Sequence, residues 1–118
     1  MSLSISLEQA LTLRNKGALL VDARSPDEFA EATIPGAINV PILDNAERQE
    51  VGTLYKQVGK QQARRRGVQI VAPKIPAMVD QVAALQAGTS QPVVVFCWRG
   101  GMRSLALTQF LDLAGVPA

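Results

Sequence analysis

Val93-Val94-Val95-Phe96-Cys97-Trp98-Arg99-Gly100-Gly101-Met102-Arg103-Ser104 is the stretch that decides the fold. Four strongly apolar residues read as a buried strand. A cysteine and a Gly-Gly turn follow, and then a helix from Arg103 to Ala114, with Leu105, Phe110 and Leu113 expected to face inward. Upstream, Gly88 to Pro92 reads as a loop, and Ile75 to Ala87 as an amphipathic helix through Met78, Val79, Val82 and Leu85. The same grammar recurs near the N-terminus. Ser6-Leu7-Glu8-Gln9 is a capping box opening a helix that Gly17 closes. Ala18 to Val21 is an apolar strand running into Asp22, and Ser25-Pro26-Asp27-Glu28 starts another helix. Ile34-Pro35-Gly36-Ala37 is a turn before a short strand at Ile38-Asn39-Val40. Asn45 to Arg66 is polar and suits one or two surface helices broken near Gly59. Apolar strands alternating with helices predict an α/β domain with a central parallel sheet flanked by helices on both faces. Sites in such folds form at the carboxyl ends of strands, which singles out Asp22 to Arg24 and Cys97 to Ser104.

Composition narrows the chemistry. The 118 residues are 47% hydrophobic and 19% charged, which excludes wholesale disorder and fits one domain. The longest apolar run, Val93 to Trp98, is six residues, and no basic-then-apolar leader opens the chain. The sequence therefore reads as soluble and cytoplasmic, with no membrane partner. Cys97 is the single cysteine, so no internal disulfide or four-cysteine metal cage can form. The absence of histidine removes Ser-His-Asp and Cys-His catalysis and imidazole metal ligands, and no metal is expected. Residues 1–55 carry a net charge of −4 and residues 56–118 a net +6. The basic half points to an anionic partner.

The loop after the strand supplies the candidate chemistry. Its backbone can curl so that amides 98–103 face one centre, an anion nest closed by the start of the last helix, and Gly100 and Gly101 permit the positive φ values required. Those amides, the helix dipole, Arg99 and Arg103 each favour thiolate over thiol at Cys97, which makes it a nucleophile without a histidine base. Trp98, Arg99, Gly100, Gly101, Met102 and Arg103 are thus the candidate anion and substrate residues. Arg103 has two roles open to it: holding the anion, or pairing with a carboxylate such as Asp22. Arg99 sits at the rim. Trp98 either stacks on a base or an isoprenoid, or packs in the core. Asp22 and Arg24 are expected to brace the loop as an internal ion pair, and Ser104 to cap the helix or support the sulfur. The run Lys60, Arg64, Arg65 and Arg66 is a candidate RNA-backbone contact, with a solvated helix face as the alternative.

On these residues the chain resembles the rhodanese-like sulfurtransferases. Leu20 to Phe29 is similar to the family's Asp-x-Arg and Pro-x-Glu-Phe box, and Ile34 to Pro41 to its Ile-Pro-Gly-Ala box. The Gly-His that usually precedes the second box is Ala32-Thr33 in this chain, a departure expected to lie outside the cradle. The resemblance implies that Cys97 carries sulfur as a persulfide. Cys97 to Arg103 is C-x5-R, longer than the ordinary rhodanese loop. That spacing is shared with rhodanese-related phosphatases and with the Cys-Trp-Arg-Gly-Gly-x-Arg-Ser loop of the tRNA 2-selenouridine synthases. Residues Asn45 to Gln57 and Pro73-Lys74-Ile75 also resemble that subfamily, and the polar insert of residues 44–74 is absent from short generic rhodaneses.

The resemblance implies replacement of sulfur by selenium in wobble 2-thiouridine of tRNA. Selenophosphate and geranyl diphosphate would be substrates of the full enzyme, and no cofactor would be bound by this domain. A P-loop domain normally follows; no G-x-x-x-x-G-K-[ST] occurs in the chain, which reads as an N-terminal piece that need not carry full activity alone. A stand-alone thiosulfate or persulfide sulfurtransferase is the alternative. A phosphatase or arsenate reductase is weaker, since Phe96 stands where a histidine often precedes the cysteine and no general acid is placed.

Overall fold

A computed structural model of the chain describes residues 5–97 and 102–118. Helix α1, Leu7–Asn15, opens with reciprocal bonds: the Gln9 amide donates to Ser6 Oγ and the Ser6 amide to Gln9 Oε1. Gly17, at φ +95°, turns the chain into β1, Leu20–Asp22. Helix α2, Pro26–Glu31, leads to β2, Ile38–Asn39. Three more helices follow, α3 at Asn45–Gln57, α4 at Lys60–Val71 and α5 at Ile75–Gln86, the last two joined by a 3-10 turn at Ala72–Lys74. Strand β3, Val94–Phe96, and helix α6, Met102–Leu113, complete the described elements.

The described strands form a parallel sheet in the order β2-β1-β3, with Asp22 opposite Asn39 on one side and Phe96 on the other. Beside it, the Val93 amide donates to the Pro117 carbonyl, so the last residues run along the start of β3. Side chains alternate across a strand, and the core divides accordingly. Leu20 and Val94 pack with Ala10 and Ala18 near α1, while Val21 and Val93 pack with Met78 and Val82 of α5 and Leu107 and Leu111 of α6. Helices therefore cover both faces of the α/β sheet.

Two inward assignments are corrected. Leu107 and Leu111, four residues apart and on one face, are the fully buried residues of α6, whereas Leu105 and Leu113 are exposed and Phe110 packs only at the flank. Each full leucine burial contributes about 2–3 kcal/mol, which sets the rotation of the helix. In α5, Met78 and Val82 are buried and Leu85 is half exposed.

The polar insert folds as a hairpin of α3 and α4. Asp44 caps α3, accepting from the Glu47 amide at 2.8 Å, and Gly59 makes the turn at φ +154°. Ala63 and Val71 bury the inner face of α4, and Lys74 pairs with Glu47 to close the base. Among the described residues, no helix is long and apolar enough to cross a membrane.

Candidate active site

Parallel pairing of β1 with β3 brings the two candidate strand ends together, because Asp22 stands beside Phe96 and the Ala23 amide donates to the Phe96 carbonyl at 2.9 Å. Residues 22–24 and Cys97 thus share the carboxyl end of the sheet. Trp98, Arg99, Gly100 and Gly101, on which the anion-nest expectation falls, lie outside the described residues.

Cys97 is partly buried. The Ser104 amide donates to its Sγ at 3.3 Å, and Ser104 Oγ lies 3.3 Å from the same sulfur. Ser104 is in the first turn of α6, and its amide is directed at the sulfur.

Asp22 has no solvent exposure, and its carboxylate is fully occupied. Arg24 donates through Nε at 3.0 Å to Oδ1 and through Nη2 at 2.8 Å to Oδ2; the Arg24 amide and the Thr33 hydroxyl add bonds at 3.0 and 2.9 Å. Burial alone would raise the Asp22 carboxyl, but these bonds outweigh it and hold it below the usual range. Hydrogen bonding to Asp22 in turn raises Arg24, against burial, with Glu28 and Cys97 adding attraction; the sulfur lies within electrostatic reach of that guanidinium. Asn39 Nδ2 donates to the carbonyls of Asp22 and Arg24 and pins the loop to β2.

The Ala32-Thr33 departure is therefore nearer to the site than expected. Thr33 bonds Asp22 directly, and Arg24 Nη2 donates to the Ala32 carbonyl. Asp22 is not the partner of Arg103, because Arg24 and Thr33 saturate it. Arg103 instead forks onto Glu28, Nη1 to Oε1 at 2.6 Å and Nη2 to Oε2 at 3.2 Å. The Arg103 fork, burial opposing, and the Ser25 hydroxyl and amide together lower Glu28 to about 2.

Arg48 of α3 also approaches Glu28, Nε to Oε1 at 3.7 Å, and Arg64 Nη2 of α4 lies 3.9 Å from Met102 Sδ. The hairpin of residues 44–74 therefore borders α2 at Glu28 and the start of α6 at Met102. The basic run does not form one patch. Lys60 and Arg64 are one turn apart on a shared face of α4, Arg65 is exposed elsewhere, and Arg66 pairs with Glu50 and Gln69. Glu28, Thr33, Asn39 and Arg48 join this hydrogen-bonded and charged cluster, and sequence reading passed over them. The one local signal was Glu28 in the helix-start motif, which marks a cap and not a long-range partner.

A parallel sheet carries a cysteine just past the end of its strand β3, with its sulfur facing the first turn of the next helix. The chain belongs to the rhodanese-like domain family, which matches residues 6–118. It is 41% identical to the tRNA 2-selenouridine synthase of Cupriavidus necator over 110 residues, 89% of this chain and 29% of that protein. With the synthase of Cronobacter sakazakii it shares 38% identity over 109 residues, 92% of the chain and 29% of the relative. The chain thus spans under a third of the length of these relatives. It is also similar to the crystal structure of the N-terminal domain of a putative ATP/GTP binding protein from Clostridium difficile 630, with a TM-score of 0.89 and 37% identity, covering 98% of this chain and 87% of that one.

Proposed function

We propose that this chain is the rhodanese domain of a tRNA 2-selenouridine synthase, with Cys97 as the chalcogen-handling nucleophile. The observation that carries the reading is the extent of the likeness. A match over 92% of the chain cannot skip the insert of residues 44–74, which a generic rhodanese lacks. The sulfur chemistry in this reading is a thiolate displacement. The Cys97 thiolate attacks the outer sulfur of a donor such as thiosulfate; a new S–S bond forms, the donor S–S bond breaks, and sulfite leaves with its electron pair. The product persulfide is an anion, which the Ser104 amide and the start of α6 favour.

In the full-length protein this domain precedes a P-loop domain, acts in the cytoplasm and serves replacement of sulfur by selenium in tRNA, with selenophosphate as the selenium donor. Lys60 and Arg64 are the better placed of the basic run for RNA, since they share a face beside Met102. Replacing both by glutamate is expected to reduce the salt slope of log K for tRNA by about 0.7–0.9 for each phosphate the protein ceases to neutralise. The engagement of Arg103 by Glu28 counts against the phosphatase and arsenate reductase readings, which need that fork on the oxyanion.

The test is a chimera in which this chain replaces the matching segment of the Cupriavidus necator synthase. It is introduced into cells lacking their own synthase, and tRNA is digested for 2-selenouridine. Formation by the chimera and its loss with Cys97→Ser are expected. A soluble chimera that makes none, alongside thiosulfate-dependent sulfite release by the isolated chain, would favour the stand-alone sulfurtransferase.

A further inference from the structure

From Ile75 onward the basic character of the insert stops. Neither α5 nor the part of α6 after Arg103 contains a lysine or arginine, and Asp80 is the only charged residue of α5. Met78 and Val82 bury one side of α5, yet the exposed residues Pro76, Ala77, Ala84 and Leu85 are apolar too. A helix that is apolar all round belongs in an interior, and the outer side of α5 faces solvent in this chain.

The exposed apolar surface gathers between α5 and α6. Ile75, Pro76 and Val79 line one side of an open groove of about 410 Å³, and Phe110 and Leu113 line the other. Leu113 is 86% exposed, the most exposed large apolar residue of those described. Asp80 is the one charged group in the lining, with no ion-pair or hydrogen-bond partner among the described residues.

Charge and size decide the occupant. RNA is held by cations facing its phosphates, and this surface has none. A second copy would bring up the same cation-free face and offer Asp80 no counterion. Stable complexes of free proteins take about 20–30 residues a side, far more than line this groove. Contacts between domains of one chain can be smaller, because the tether supplies a millimolar effective concentration. Most of the length of the related synthases lies outside the segment that this chain matches. Ala114 also lines the groove, four residues before Ala118, so polypeptide following Ala118 would start within about 14 Å of it.

We propose that the groove between α5 and α6 docks an amphipathic helix of the polypeptide that follows this domain in the full-length synthase. That helix lays apolar side chains over Val79, Phe110 and Leu113 and sets a lysine or arginine against Asp80. The inference rests on the reading of this chain as one domain of a longer protein and is independent of the chemistry of Cys97.

The test is amide hydrogen exchange across α5 and residues 110–114, in the isolated chain and in the chimera with the Cupriavidus necator synthase. Exchange is expected to be about tenfold slower in the chimera, and Leu113→Lys in the chimera to restore the isolated-chain rate. Leu113 is exposed, so the same substitution should leave the melting temperature of the isolated chain unchanged, which separates lost docking from lost folding. Asp80→Lys should also release the helix, and Asp80→Glu should not. Equal exchange in chain and chimera, or protection that survives Leu113→Lys, overturns the proposal. Protection that grows with the concentration of the isolated chain, with a doubled mass by light scattering, assigns a second copy and overturns it too. A chimera that forms 2-selenouridine without protection loses the docking site and keeps the proposed function; protection without 2-selenouridine does the reverse.

Discussion

Glu28 holds Arg103 across 75 residues of sequence by both terminal guanidinium nitrogens, at 2.6 and 3.2 Å. Glu28 is itself held by the Ser25 hydroxyl at the start of α2, so the bond ties the first turn of α6 to the helix that follows β1. The next residue after Arg103 is Ser104, whose amide faces the sulfur. A carboxylate in a helix cap thereby fixes the amide that Cys97 uses.

The acid limb of stability should report this bond. Glu28 is lowered from 4.5 to about 2, so its contribution is complete above the ordinary glutamate range and is lost as pH falls toward 2. Asp22, also lowered, adds to the same loss. Glu28→Gln is expected to cost about 1–3 kcal/mol at pH 7 and to flatten the decline between about pH 5 and 2. Urea unfolding at a series of pH values checks both, and an unchanged acid limb would contradict the assignment.

Asp22→Asn should be among the most damaging single changes. It leaves Arg24 shielded and without its countercharge, at a cost of about 3–5 kcal/mol. Thr33→Val removes one hydrogen bond to the same carboxylate and should cost about 1 kcal/mol. Thermal unfolding of the two variants side by side should show that ordering.

Ser104 offers Cys97 two groups that substitution can separate. Ser104→Ala removes the hydroxyl and keeps the amide; Ser104→Pro removes the amide donor as well. A hydrogen bond to a charged group is worth about 1.5–3 kcal/mol, so the proline variant should slow alkylation of Cys97 by about ten- to a hundredfold and the alanine variant far less. Rates that fall equally in both would place the effect on the hydroxyl.

Gly52→Ala tests how much the Arg48–Glu28 pair contributes. Alanine in place of a helical glycine stabilises by about 0.5–1 kcal/mol, yet its Cβ must displace the Arg48 guanidinium from a loose, exposed pair worth about 0–1 kcal/mol. A higher melting temperature is the expected result, and a lower one would show that the pair carries more than its geometry implies.

Much of this was legible in the chain alone. The alternation of Ala18 to Val21 and Val93 to Phe96 with capped helices determined a parallel α/β sheet, because period and caps are local properties. The strand-end rule placed Asp22 and Cys97, and Gly59 marked the break in the insert. The pairing of charges was not legible. Arg103 could have met Asp22 or Glu28, and only the packing of α2 against the start of α6 leaves Glu28 in reach while Arg24 and Thr33 saturate Asp22. The rotation of α6, with Leu107 inward and not Leu105, and the approach of Arg48 to Glu28 were decided in the same way. Local sequence specifies which segments form helix or strand; which side chains then meet depends on distances between segments far apart in the chain, and those exist only once the core has packed.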